Sequence, residues 1–117
     1  MSLISQFEKR EDVLLVRLIG ELDHHEAEKL KEEWKHQLQD TSIKHVVINL
    51  EKLAFMDSSG LGVFLGRYKE VKQLNGEMVV CAYNASVKRL FELSGLFKLV
   101  RTANNEDAAL ERLGVAS

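Results

Sequence analysis

The chain has no proline and a single cysteine, Cys81. Proline would mark rigid breaks; without it, no stretch of the 117 residues reads as a linker, an internal repeat or a low-complexity tract. One cysteine closes no internal disulfide, which points to a reducing compartment, the cytoplasm. Neither sign of charge is in excess. Sixteen Lys and Arg stand against 18 Asp and Glu, a formal net charge of −2, and this gives no general attraction to nucleic acid or to an acidic membrane. No apolar run approaches the ~20 residues of a membrane span. Residues 1–8 lack both the basic start and the apolar core of a secretory signal. What is present, 45% apolar and 29% charged residues, is the balance of an ordinary globular protein long enough to bury a core.

Hydrophobic patterning predicts the order of elements. Residues 3–9 read as an edge strand, residues 10–12 as a charged turn, and residues 13–19 as a β-prone run closed by Gly20 and antiparallel to the first. Asp23 with Glu26 three residues on resembles a capping box with Asp in place of Ser or Thr. The helix behind it carries Ala27, Leu30, Trp34 and Leu38 on one stripe. Residues 45–50 read as a third strand and 51–56 as a loop. Asp57-Ser58-Ser59 then precede a helix with Leu61, Phe64, Leu65, Tyr68 and Val71 at the 3.6-residue period, stopping at Asn75-Gly76. A fourth strand is expected at residues 78–82. Ser86 is expected to cap a short helix with Val87, Leu90, Phe91 and Leu93 inward, ended by Gly95. Residues 97–101 suggest a fifth strand, and residues 105–113 a last helix with Ala108, Ala109, Leu110 and Leu113 inward.

Strands alternating with helices after one hairpin predict an α/β fold. The expectation is one domain over residues 1–117, with a mixed, mostly parallel sheet of four or five strands in sequential order. About four helices would pack mainly on one face, as right-handed crossovers in that order require. Parallel sheets are normally covered on both faces, so the second face calls for a partner, a second copy or some exposed Val and Leu.

Most chemical motifs fail on spacing. Gly60-x-Gly62-x-x-x-Gly66 imitates a dinucleotide fingerprint, but ten residues separate it from the preceding strand end at Leu50, whereas the real motif follows its strand directly. Close packing of the helix on the sheet is the alternative use of those glycines. There is no Gly-Lys-Ser/Thr and hence no P-loop. His25 and His36 share a helix face but stand roughly 16 Å apart, too far to hold one ion. His24 and Glu28 fit a surface pair, and His45 lies in a strand. Cys81 lies in an apolar strand, where a thiol behaves as a small hydrophobe. Ser58 and Ser59 lack the Gly-x-Ser-x-Gly setting of a nucleophile. No catalytic, metal or cofactor residue of the chain's own is therefore expected.

Asp57-Ser58-Ser59 remains, either as a capping cluster or as a regulatory phosphoacceptor. A helix start carries free N–H groups and the positive end of the macrodipole, and both suit a phosphoryl group. Helix phase turns Ser59 outward and puts Ser58 near the edge of the apolar stripe, without deciding between them.

Residues 20–25 (Gly-Glu-Leu-Asp-His-His) together with residues 55–62 (Phe-Met-Asp-Ser-Ser-Gly-Leu-Gly) resemble the STAS family of anti-sigma factor antagonists. Residues 65–69, 76–81, 87–91, 94–98 and 113–117 extend the likeness over essentially the whole chain, with departures at residues 4–10, on an outer face around Trp34 and His36, and at residues 102–107. The resemblance implies a mixed sheet with packed helices and a protein that is no enzyme. Its unmodified form would bind an anti-sigma factor and so release a sporulation sigma factor. That anti-sigma factor is also a serine kinase, which would switch the antagonist off by phosphorylating Ser58, the first serine after the aspartate. A metal-dependent serine phosphatase would restore it. Asp23, Asp57 and the Ser58, Ser59, Gly60, Leu61, Gly62 turn would form the docking surface, while ATP or ADP and Mg²⁺ would belong to the partner kinase. Nucleic acid is not implied as a direct partner. Two other readings exist within the family: a small-ligand or nucleotide-binding regulatory module, and an antagonist serving a stress-response sigma factor. The transporter branch is set aside for want of a span.

Overall fold

A half-exposed first strand folds back on the near-continuous apolar run of residues 13–19 to make a hairpin, and everything after it is added to one edge. In the computed structural model, which describes residues 2–116, Leu3–Arg10 (β1) pairs antiparallel with Val13–Leu22 (β2) across a turn where Glu11 takes a φ of 52°. There follow His24–Gln37 (α1), His45–Met56 (β3), Ser58–Gln73 (α2), Met78–Cys81 (β4), Ala85–Ser94 (α3), Arg101–Ala103 (β5) and Glu106–Arg112 (α4). The sheet runs β1-β2-β3-β4-β5, parallel from β2 onward. This is the sequential mixed sheet with four helices that the patterning predicts.

Successive strand residues point to opposite faces, and the two faces are covered by different helices. Leu14, Val16 and Leu18 of β2, with Val46, Ile48 and Leu50 of β3, meet α1, α2 and α3 in the larger core, where Trp34, Phe64 and Phe91 are completely buried. Trp34 and Phe64 pack edge to face with ring centroids 5.9 Å apart, which joins α1 to α2. Val13, Leu15, Val47, Val79 and Cys81 point the other way, against Ala109 and Leu110 of α4 and Val115 of the tail. The second face is thus covered in part by the chain's own last helix. Burial pushes the Cys81 thiol up to about 12, the state of an inert packing residue.

A polar clamp holds α4 in place. Arg17 donates from Nε and Nη2 to the two carboxylate oxygens of Glu106, at 2.8 and 2.6 Å, and from Nη1 to Glu8 at 3.0 Å. Asn49 adds a donor to Glu106 at 2.9 Å. Bonding to Arg17, then to Asn49, keeps the Glu106 carboxyl below its ordinary value despite partial burial.

Several boundaries differ from expectation. The segment read as a loop at residues 51–56 is strand, because β3 continues alongside β2 to the pair Leu22–Met56. Two register shifts each place one extra β3 residue opposite β2: Arg17–Asn49 is followed by Ile19–Lys52, and Gly20–Leu53 by Glu21–Phe55. These are bulges, and they space the inward residues Leu50, Leu53 and Met56 three apart. Gly20 does not end β2; it takes a φ of 108° within it. The fifth strand starts at Arg101. Residues 96–98 form a 3-10 turn instead, since Phe97 is drawn onto Tyr83 and Phe91 at centroid distances of 5.4 and 5.5 Å. Leu93 is 75% exposed rather than inward. Trp34 lies in the core with Ala27 and Leu30, as the stripe of α1 predicts, and so does not belong to the outer face on which the departure around His36 is set.

Candidate functional site

Each strand-to-helix junction after the hairpin is closed by an Asx residue. Asp23, Asp57, Asn84 and Asn105 are the N-caps of α1, α2, α3 and α4, with side-chain oxygens 2.8–2.9 Å from the N–H groups of Glu26, Ser59, Val87 and Ala108. Such caps satisfy donors that the first turn leaves free. Asn84, not Ser86, is therefore the cap of α3; its Nδ2 also donates to the Leu53 carbonyl at 3.1 Å, which ties that cap to the end of β3.

Parallel pairing brings the first two caps together. Leu22 and Met56 are register partners at the ends of β2 and β3, and the Asp57 N–H donates to the Leu22 carbonyl at 3.3 Å. The N-termini of α1 and α2 consequently open side by side at the carboxyl edge of the parallel strands, where open α/β sheets tend to bind their ligands. The Glu26 N–H aimed at it holds the Asp23 carboxyl below the usual range. Glu26 itself lies 4.0 Å from Lys29, and the reciprocal arm of a capping box is not made among the described residues.

Ser58, the first residue of α2, is exposed, whereas Ser59 is half-buried with its Oγ 3.4 Å from His24 Nδ1. Helix phase favours the reverse without deciding it. The expected stripe counts only the face toward the sheet, but α1 also lies along α2, so the buried set is Gly60, Leu61, Val63, Phe64, Arg67 and Val71, with Leu65 and Tyr68 only partly covered. Ser59 sits on the flank facing α1. Around the two serines Asp23 and Asp57 are half-buried, Gly62 is exposed, and Leu61 is 7% exposed and belongs to the core. Phe55, directly before this turn and 38% exposed, adds an apolar patch that a loop assignment gave no reason to single out.

The three glycines of α2 do different work. A Cβ on Gly60 would stand 2.7 Å from Met56 Cε and 2.8 Å from Leu22 Cδ2, so close packing on the strand ends accounts for it. Gly62 and Gly66 have nothing within 4 Å of such a Cβ. They line a groove of about 530 Å³ between α1 and α2, bordered also by His24, Lys31, Lys35, Ser59 and Arg67. Arg67 is 4% exposed; its Nη2 meets Glu70 at 2.8 Å, but Nε and Nη1, both closed to solvent, have no hydrogen-bond acceptor among the described residues. The only sequence signal for it is a cation at the position three after Phe64, inside the apolar period. His24 faces Ser59 rather than pairing with Glu28. Among the described residues no three His, Cys, Asp or Glu side chains are grouped as a metal site would need, and no helix is long and apolar enough to cross a membrane.

The model of the family described as STAS domain matches residues 5–109. An anti-sigma F factor antagonist of Paenibacillus polymyxa is 47% identical over 117 residues, covering 100% of both chains. Among solved structures, the anti-sigma factor antagonist SpoIIAA in its unphosphorylated form superposes with a TM-score of 0.77 at 28% identity, covering 95% of this chain and 98% of that one. The Bacillus cell fate determinant SpoIIAA in the phosphorylated form gives a TM-score of 0.76 at 31% identity, with 94% and 99% covered.

Proposed function

The chain belongs to the STAS domain family, and from that premise we propose that it is an anti-sigma factor antagonist controlled by phosphorylation of Ser58. Unmodified, it binds an anti-sigma factor in the cytoplasm and frees the sporulation sigma factor that protein holds. The anti-sigma factor doubles as a serine kinase, with ATP and Mg²⁺ in its own site, and a serine phosphatase reverses the modification. Asp23, Asp57, Ser58, Ser59 and Gly62 form the docking surface, shaped from below by Gly60 and Leu61.

The observation that carries this reading is the position of Ser58: an exposed hydroxyl on the first turn of a helix capped by Asp57, beside the N-terminus of α1. A visiting active site can reach it. Phosphorylation adds about −1.5 to −2 charges there, and the helix dipole and first-turn N–H groups stabilise them without refolding. Near-equal TM-scores against the unphosphorylated and phosphorylated relative, 0.77 and 0.76, accord with a switch that leaves the fold alone. The inhibition is then local. A dianion next to Asp57 must lose its water against a partner surface shaped for a hydroxyl, and about 2.8 kcal/mol of such penalty weakens binding a hundredfold.

The test is incubation with the cognate anti-sigma kinase and ATP, followed by mass spectrometry of the modified peptide. Phosphate is expected on Ser58 alone. Ser58→Ala should take up none while still binding the kinase. Label entering Ser59 or Thr41 in that variant defeats the assignment.

A further inference from the structure

β1 is the outer strand of the sheet, and one side of it is open. The Glu21 N–H donates to the Ser2 carbonyl at 2.9 Å. Hydrogen-bonded pairs alternate along an antiparallel ladder. Ile4, Gln6, Glu8 and Arg10 therefore turn their main chain to β2, while Leu3, Ser5, Phe7 and Lys9 turn theirs outward. Among the described residues no strand meets those outward groups. We propose that this edge takes up an extended basic segment of a partner protein as an added strand. Such docking is separate from the Ser58 switch and does not rest on it.

An exposed edge is normally blunted by a proline, a bulge or an inward charge. β1 has 8 residues in unbroken register with β2 and no proline. Leu3 and Phe7 pack against the larger core and Ser5 donates to Glu33 of α1 at 3.1 Å, so the odd residues of β1 face α1. The charge among them, Lys9, is held by Asp40 at 3.2 Å. Beside this edge runs a groove of about 450 Å³, lined by Phe7 and by Glu32, Glu33, His36 and Gln37 of α1. A strand added here points every second side chain toward that groove. Glu32 and Glu33 are exposed, and among the described residues neither meets a cation. The lysines of α1 lie elsewhere: Lys29 stands by Glu26, and Lys31 and Lys35 border the groove toward α2. With His36 neutral, the wall carries two carboxylates and no positive charge. Lys or Arg at alternate positions of the guest matches it, with the Phe7 ring as a bed for their stems. On the opposite face Ile4, 57% exposed, offers apolar contact to the residues between. Main-chain pairing then supplies affinity, and the acidic groove supplies selectivity.

Amide NMR on the intact chain reads this edge directly. A peptide of alternating lysine and valine, as long as β1, would be titrated at constant ionic strength, with an alternating glutamate and valine peptide as control. The lysine peptide is expected to shift the amides of Leu3, Ser5, Phe7 and Lys9 in saturable fashion and to slow their exchange with solvent. The glutamate peptide should leave them unmoved. Glu32→Gln with Glu33→Gln removes both wall charges from exposed positions and should weaken binding about tenfold, equivalent to about 1.4 kcal/mol. Ser5→Pro takes away an outward N–H that the sheet does not use and should weaken binding at least as much; should that variant fail to fold, the glutamate pair still decides. Absence of saturable shifts on β1 overturns the proposal, as does equal binding of the glutamate peptide or unchanged affinity in the double variant. Shifts of the same amides that grow with protein concentration alone would give the edge to a second copy and overturn it too. The antagonist reading would survive any of these, because its own test is phosphate transfer to Ser58.

Discussion

Replacing Gly62 by alanine separates what the fold wants from what docking wants. Gly62 is exposed in the first two turns of α2, its φ is not in the left-handed region, and a Cβ built there meets nothing within 4 Å. Glycine in a helix is about 1 kcal/mol worse than alanine, through backbone entropy in the unfolded chain. Gly62→Ala should therefore raise the unfolding free energy by about 0.5–1 kcal/mol, seen as a higher urea midpoint at unchanged m-value. The same methyl projects from the proposed docking surface. A rigid partner surface that has to yield to an added methyl loses about 1–3 kcal/mol, as an overpacked core does, so binding to the anti-sigma factor should fall roughly tenfold to a hundredfold. Urea titration and surface plasmon resonance on one preparation give both numbers. A variant that is less stable than the parent would show that the fold needs this glycine. A variant that is more stable and binds as before would remove Gly62 from the docking surface.

Three further outcomes follow from the geometry. Gly76→Ala should behave in the opposite way to Gly62→Ala, because its Cβ would lie 1.7 Å from the Lys44 carbonyl oxygen, a backbone atom that cannot swing aside; a loss of about 3 kcal/mol or more in urea unfolding is expected. Glu106→Gln should cost about 1–2 kcal/mol at neutral pH, after allowance for the partial exposure of the Arg17 pair. Since folding lowers the Glu106 pKa, its contribution is present above the ordinary value of 4.5 and is lost as pH falls through the folded value. Unfolding curves of parent and variant should thus draw together in acid, and a gap that does not narrow at all as pH falls below 4.5 would mean the charge is not the cause. Ser58→Asp, carrying one charge where phosphate carries nearly two, should weaken anti-sigma factor binding only in part, and a variant that binds like the parent would argue against a charge switch.

The order of elements was legible because apolar residues mark each kind of element: a near-continuous run in β2, which is buried on both faces, and the 3.6-residue period in α1 and α2. The end of β3 was not, since its two bulges hide strand periodicity behind Leu50, Leu53 and Met56 at every third position. Residues 97–101 failed for a different reason. Phe97, Leu99 and Val100 have strand composition, but packing of Phe97 onto Tyr83 and Phe91 outweighs that propensity. At the candidate site, Asp23 and Asp57 were readable as caps from residue type and spacing alone. The exposure of the two serines was not, because it depends on α1, which contacts α2 only through the tertiary fold. Arg67 left only one local trace, a cation three residues after Phe64 inside the apolar period, and its burial likewise depends on α1 lying along α2.

Trp34, the chain's one indole, is 0% exposed, lies against Phe64 where α1 meets α2, and has no acceptor at Nε1 among the described residues. A dry, unbonded indole emits at short wavelength and responds sharply when water or a new acceptor arrives. A fluorophore therefore sits in the seam between the two helices whose tips carry the proposed docking surface. Any event that prises that seam apart, an anti-sigma factor levering on Ser58 among them, will write itself into the colour of one residue, and a label-free spectrum will read it.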